Sequence, residues 1–334
     1  MSLYPGLDAP RTKAYKTIWT GIFFVALILG MASLYVATKS VDYVWRWYQV
    51  PDYFFYQDDV ETLSEIEGYI SGIKTEGETT LVTVQGVGET ETYTLPTESL
   101  LAAEGDFIYP GDPLGSQKKW QTGLLLYGLW ITLKASFMAI ILAMIIGIVT
   151  GLMRISDNPA LKWSAITYIE LVRGSPLLVQ LMIWYFVIGT LINRLLMDLG
   201  FAKIPTLWFG VLSLAIFTGA YTAEIVRAGI QSVNVGQMEA ARSLGMSYPE
   251  AMRKVIMPQA INRILPALAG QFISLIKDSS LLGVISVREL TKVTREVVTA
   301  NLQPFELWIV CAALYLVLTF GFSLLVQRLE TRAV

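Results

Sequence analysis

Six apolar runs dominate this chain, at approximately 18–38, 122–153, 164–195, 207–229, 262–286 and 305–327. Each is long enough to cross about 30 Å of hydrocarbon at roughly 20 residues per span. Inside lipid every backbone N–H and C=O must be satisfied by the protein itself, so open sheets are excluded and such runs are read as helices. Of the 334 residues, 54% are apolar and only 16% charged, which is the balance of a polytopic membrane protein. The expected fold class is an all-α transmembrane bundle of about six spans, interrupted by one soluble insert.

The net charge of −2 conceals a division. Residues 42–112 carry 15 of the 27 carboxylates but 2 of the 25 basic residues, which leaves 23 basic against 12 acidic elsewhere. Lysine and arginine are retained on the inner side of membrane proteins, so the acidic stretch is expected outside and the basic loops inside. The first span, IWTGIFFVALILGMASLYVAT, follows Arg11, Lys13 and Lys16. It is longer than the apolar region of a secretory signal and lacks a small-x-small cleavage site, so it reads as a retained anchor. Both termini are then internal, together with Arg154, Lys162, the 231–261 loop, Arg328 and Arg332. One loop fits poorly: VRELTKVTREVVTANLQ would be external while holding Arg288, Lys292 and Arg295.

The external insert alternates strand formers with glycine-bearing turns, as in GYISGIKTEGETTLVTVQGVGETETYTLP, and predicts a small barrel or sandwich. QGVGET lacks the third glycine and the following helix of a dinucleotide fingerprint, so it reads as a hairpin turn. No GxxxxGK[ST] phosphate loop occurs, so ATP is not expected to bind this chain by that route. The single cysteine, Cys311, lies in an apolar run and there is no histidine. Thiolate, zinc and histidine-base chemistry are therefore set aside, and no catalytic residue, metal or cofactor is expected. Trp45, Trp47, Trp120 and Trp163 stand at span edges, where indoles anchor to the interface.

Between the fourth and fifth apolar runs lies a charged, turn-bearing stretch, EAARSLGMSYPEAMRKVIMP (239–258). Glu239 to Leu244 are good helix formers, and Gly245 can take the left-handed conformation that closes a helix. Ser247 and Glu250 have capping-box spacing for a second short helix, with Pro249 in its first turn and Pro258 as its expected stop. Met252, Val255 and Ile256 would share one apolar side, with Arg253 and Lys254 on another. A flat interfacial connector is the plainer reading. The segment is too short, and too tightly held between spans, for a DNA-reading helix-turn-helix.

This spacing of E-A-A, three residues, glycine and a late aliphatic-x-x-proline resembles the EAA loop of importer-type ABC permeases. ELVRGSPLLVQLMIWYF, GAYTAEIVRAGIQSVNVGQMEAARSLG and QAINRILPALAGQFISLIKDSSLLGVIS are similar to the polar amino acid uptake permeases, over roughly residues 120–330. The extra first span and the insert lie outside the family's usual five-helix core, and Ser175 stands where threonine is commoner. The resemblance implies three parts: residues 1–39 as a cytoplasmic N-terminus and extra helix, 40–120 as a periplasmic insert, and 121–334 as the permease core. It implies a permease subunit in the bacterial inner membrane that carries polar amino acids by alternating access. Its partners would be two ATPase subunits, an identical or related second permease and a periplasmic solute-binding protein, with no nucleic acid. Glu239, Ala240, Ala241, Gly245 and Pro258 would couple it to the ATPase.

Charged residues within spans cost at least about 2.5 kcal/mol each, so they are expected to be paired or to line water. Glu170, Arg173, Glu224, Lys277 and Asp278 qualify, and counting along the helices puts Arg173, Glu224 and Lys277 in one layer near the middle. Arg173-Gly174-Ser175-Pro176 supplies a freed carbonyl, a close approach and a hydroxyl, the parts of a broken-helix site. Tyr221 lies one turn from Glu224, which has no cation within four residues before Arg227, and Ser279 follows Asp278. The substrate-facing candidates are thus Arg173, Gly174, Ser175, Pro176, Tyr221, Glu224, Lys277, Asp278 and Ser279. The plainer account pairs these charges with one another: Glu170 with Arg173, Lys277 with Asp278, and Glu224 with Arg227 or Lys277. Two other classes remain open, a channel or secondary transporter without an ATPase, and a hydrolase using Lys277 with Ser279 or Ser280.

Overall fold

The computed structural model describes residues 12–333; Arg11 and the Arg332 side chain, read above as internal charges, lie outside the described residues. The chain divides into two units, Met1–Trp47 and Tyr48–Val334. In the first, the apolar run forms one long helix, α1 (Lys13–Ser40), begun by the Thr12 hydroxyl, which accepts from the Tyr15 N–H at 3.2 Å. Apolar side chains surround α1 and nearly all are exposed, as expected of a helix whose solvent is lipid. Beyond its end the indoles of Trp45 and Trp47 stack 5.6 Å apart, an arrangement suited to anchoring.

The second unit begins with the insert. β1 (Phe55–Leu63) and β6 (Pro113–Thr122) pair antiparallel as a two-stranded stem. Between them β2 (Gly68–Glu76), β3 (Thr79–Gln85), β4 (Thr90–Pro96) and β5 (Phe107–Ile108) form an antiparallel sheet in the order β4-β3-β2-β5. Alternation along β3 buries Thr80, Val82 and Val84 against Ile70, Leu95 and Leu114. QGVGET is the β3–β4 turn, with Gly88 at φ +92°. The expected barrel or sandwich is corrected to two open sheets. Asp106 accepts from Ala103 N–H and Asp112 from Tyr109 N–H, and these turns cut β5 to two residues, too short to carry the sheet round to β1.

Six helices among the described residues are long and apolar enough to cross a membrane. The central pair is α2 (Leu124–Arg154) and α6 (Thr206–Gln231), which approach closely where α2 offers Gly147 and Gly151. A Cβ at Gly147 would lie 2.4 Å from the Thr222 side chain, and one at Gly151 would lie 2.8 Å from the Ala223 carbonyl. Small residues at this spacing let helix backbones approach where burial of apolar surface gives no drive.

Two helices differ from expectation. The third apolar run is broken into α3 (Pro159–Arg173) and α4 (Leu177–Met182), and α4 continues through a π-helical turn (Ile183–Gly189) into α5 (Thr190–Asp198). Only Leu177–Asp198 of that run counts among the six. Pro258 does not stop the helix after Gly245. α8 (Tyr248–Ala251) passes through a π-helical turn (Met252–Ile256) into α9 (Met257–Asp278) without a break. Proline lacks an N–H and its ring crowds the carbonyl four residues back; the widened turn just before it relieves both, so the helix continues instead of ending.

The loop that strained the charge pattern folds as α10 (Leu290–Asn301), followed by α11 (Pro304–Ala333). Glu296 lies 2.8 Å from Arg288 and 3.9 Å from Lys292, which neutralises part of its positive charge. α10 rests on α2, where the Leu290 N–H donates to the Thr132 hydroxyl at 3.1 Å.

Candidate functional site

The break between α3 and α4 follows from its residues. Gly174 caps α3, and Pro176 holds extended backbone (φ −64°, ψ 137°) before α4. One side chain stitches the break: the Gln180 amide donates to Val172 O at 2.7 Å, to Ser175 O at 3.2 Å and to Ser175 Oγ at 2.8 Å. The Ser175 hydroxyl donates to Leu171 O at 2.9 Å, so it serves the helix end as well as offering an oxygen. Arg173, Gly174 and Pro176 are exposed at this point, and the Arg173 guanidinium stands 5.2 Å over the ring of Tyr221.

One turn from Tyr221, Glu224 holds two guanidinium groups. Arg227 donates to its Oε1 through Nε at 3.0 Å and through Nη2, and Arg154 lies 2.9 Å from Oε2. Of the readings open for Glu224, the pairing with Arg227 is the one the structure shows, and the end of α2 supplies a second cation, Arg154, in place of Lys277. All three side chains are about a quarter exposed, so the cluster is only partly shielded from solvent. Arg154, Lys162 and Arg227 also line a polar cavity of about 560 Å³ with Asp157 and Trp163.

Lys277 does not join this group. It lines a separate groove of about 290 Å³ with Ser280, Thr291, Trp308, Cys311 and Tyr315, and makes no ion pair among the described residues. Lys277 therefore lines a different cavity from the one that Arg154 and Arg227 line. Asp278 ends α9, and the buried Ser279 hydroxyl donates to Ile276 O at 2.7 Å. Glu170 and Arg173 are both exposed and form no ion pair with each other.

The segment holding Glu239 folds as α7 (Val235–Ser243), started by Asn234, whose side chain accepts from the Gly236 N–H at 2.8 Å. Its end is a Schellman closure. Met246 N–H bonds to Ala241 O at 3.2 Å and Gly245 N–H to Arg242 O at 3.0 Å, with Gly245 at φ +86°. Half of the capping box forms: Ser247 makes no side-chain cap, while the Glu250 carboxylate accepts from the Ser247 N–H and also pairs forward with Lys254 at 2.7 Å. Met252, Val255 and Ile256 pack with Val226, Ile230 and Val233 of the α6 end, which anchors the knuckle. Glu239, Ala240, Gly245 and Pro258 are left exposed, Leu244 is 82% exposed, and Ala241 is buried beneath them.

Reasoning from sequence missed Arg154 and Gln180. Arg154 ends an apolar run and reads as an ordinary flanking charge. Gln180 carried the better signal, a lone amide in LLVQLMIWYF just after a Gly-Ser-Pro break.

With this geometry in place, comparison with known proteins gives the family. The model of the binding-protein-dependent transport system inner membrane component matches residues 125–334, and the chain belongs to that family. It is 40% identical to the probable glutamine ABC transporter permease protein GlnM of Bacillus subtilis over 205 residues, 61% of this chain and 91% of that protein. It is 37% identical to the glutamine transport system permease protein GlnP of Escherichia coli K12, covering 63% and 92%. The nopaline transport system permease protein NocM of Agrobacterium fabrum is also 37% identical, with 60% and 83% covered. A crystal structure of an amino acid ABC transporter with histidines superposes with a TM-score of 0.55 at 44% identity, over 63% of this chain and 94% of that one. The first helix and the insert lie outside residues 125–334, the stretch that the family model matches. The chain is a multi-pass membrane permease of the ABC transporter kind.

Proposed function

We propose that this chain is the translocating subunit of an ATP-driven importer for polar amino acids in a bacterial inner membrane, coupled through residues 239–258 to a separate ATPase. The observation that carries this reading is the knuckle: a helix closed by Gly245, anchored to the end of α6, with Glu239 and Leu244 left outward. Such a rigid, exposed projection at a helix end suits a socket on another protein. Two ATPase subunits and a second permease, identical or related, complete the membrane assembly, and an external solute-binding protein delivers the substrate. ATP-driven closure draws the two knuckles together and turns the path outward, which is alternating access. In this reading residues 1–39 are an internal N-terminus with an extra span, 40–120 a periplasmic insert and 121–334 the permease core, with both termini cytoplasmic.

The substrate-facing groups are Arg173, Gly174, Ser175, Pro176, Tyr221, Glu224, Lys277, Asp278 and Ser279. Arg173 and Lys277 are exposed cations without an ion pair among the described residues, and they suit the carboxylate of an amino acid. Glu224 acts through the arginines it orients. Co-expression with an ATPase and a solute-binding protein, followed by purification and an uptake assay in proteoliposomes, tests the reading. Retention of the ATPase and ATP-dependent amino acid uptake are expected; uptake by the chain without an ATPase would favour a channel or secondary transporter.

A further inference from the structure

The insert is foreign to the matched family region, yet it is not loosely hung. Its stem pairs Phe55 with Thr122, and Gly123 N–H donates to Phe54 O at 2.7 Å immediately before α2 begins. A Cβ at Gly123 would lie 2.2 Å from Tyr53 O, so only glycine allows the two chain segments to close this tightly. Tyr53 and Phe54 pack against the cluster of Leu290, Val293 and Val297 of α10 with Leu307 of α11.

At the elbow between α10 and α11 a fully buried side chain reaches back to the helical turn Trp47–Tyr53 that leads into this stem. The Gln303 carbonyl oxygen accepts from the Tyr53 hydroxyl at 3.1 Å, and its amide donates to Gln49 Oε1. The preceding residue, Leu302, holds φ +54°, a left-handed conformation that side chains other than glycine adopt reluctantly. Ser286, at φ +66°, stands likewise before the other end of α10. α10 is therefore suspended between two strained joints, and strain of this kind persists only where surrounding contacts hold it.

We propose that Gln303 is a positioning residue that fastens the insert to the α10–α11 elbow, so that the insert sets the position of α10 during transport. This rests on the permease reading and adds a route by which contact with the solute-binding protein outside reaches the core. Displacing the stem removes both Gln303 bonds and frees the Leu302 joint; holding the stem keeps α10 against α2.

The test is ATP hydrolysis by the complete importer in proteoliposomes, with and without its solute-binding protein, for wild type, Gln303→Leu, Tyr53→Phe and the double variant. The stimulation ratio should fall roughly three- to tenfold in Gln303→Leu, the weight of one or two buried hydrogen bonds, and less in Tyr53→Phe. The double variant should lose less than the two single variants added together, because the two residues share one hydrogen bond. Unstimulated hydrolysis should be unchanged, which separates positioning from general damage. Tyr53→Phe removes one hydroxyl and decides the matter if Gln303→Leu does not fold. A stimulated wild type with unaltered variants overturns this inference alone; an unstimulated wild type overturns the permease reading and the inference with it.

Discussion

Arg154 and Glu224 stand 2.9 Å apart and tie the end of α2 to α6, with Arg227 on the other carboxylate oxygen. Glu224→Gln leaves two guanidinium groups facing each other, so the variant should unfold at lower temperature in detergent. Arg154→Gln should do the same, and the double variant should cost less than the two singles together. The coupling should be about 1–2 kcal/mol, between the values for exposed and buried pairs. Additive losses would show that the pair does not hold the helices.

Gly245 has nothing within 4 Å of where a Cβ would stand, so the cost of replacing it lies in its backbone conformation. Gly245→Asp should leave the protein inserted but weaken ATPase coupling, with about 1–2 kcal/mol lost locally. Gly245→Asn should be milder than Gly245→Ala, since asparagine accepts this region better. Normal ATP-driven transport by the Asp variant would argue against knuckle docking.

Gln180 satisfies carbonyls that the α3–α4 break exposes. Gln180→Leu should lower stability by about 1–3 kcal/mol, the cost of leaving buried polar groups without partners. Ser175→Thr keeps the hydroxyl and should be tolerated, whereas Ser175→Ala should fall between. Thermal unfolding of the three purified variants gives the order directly.

Glu289 begins α10: its carboxylate accepts from the Thr291 and Lys292 N–H groups and from the Tyr315 hydroxyl. Burial nonetheless pushes its carboxyl above the usual carboxylate range. A raised acid binds its proton more tightly when folded. Its contribution is therefore complete below the ordinary carboxylate pKa of about 4.3 and is lost as pH rises through the folded value. Relative to Glu289→Gln, the wild type should lose stability over that interval. A difference in unfolding temperature that stays flat with pH would refute it.

Much of this was legible along the chain. The knuckle's glycine turn, its apolar side of Met252, Val255 and Ile256, and the hairpin at 86–89 are local, set by conformations that individual residues allow. Pro258 was misread because a proline's effect depends on the turn before it, and a π turn is written in packing against α6 rather than in residue type. The second cation of Glu224 was missed because Arg154 is distant along the chain and adjacent only after α2 and α6 pack through Gly147 and Gly151.

The sequence by itself determined that this chain lives in a membrane, where it turns and which residues can bear charge at depth, since hydrophobic length and backbone geometry act locally. Only the tertiary structure decided which charges meet, that Lys277 and Arg154 line different cavities, and that Gln303 at the α10–α11 elbow bonds Gln49 and Tyr53. Those relations depend on how closely helices approach, a property of many residues packed together.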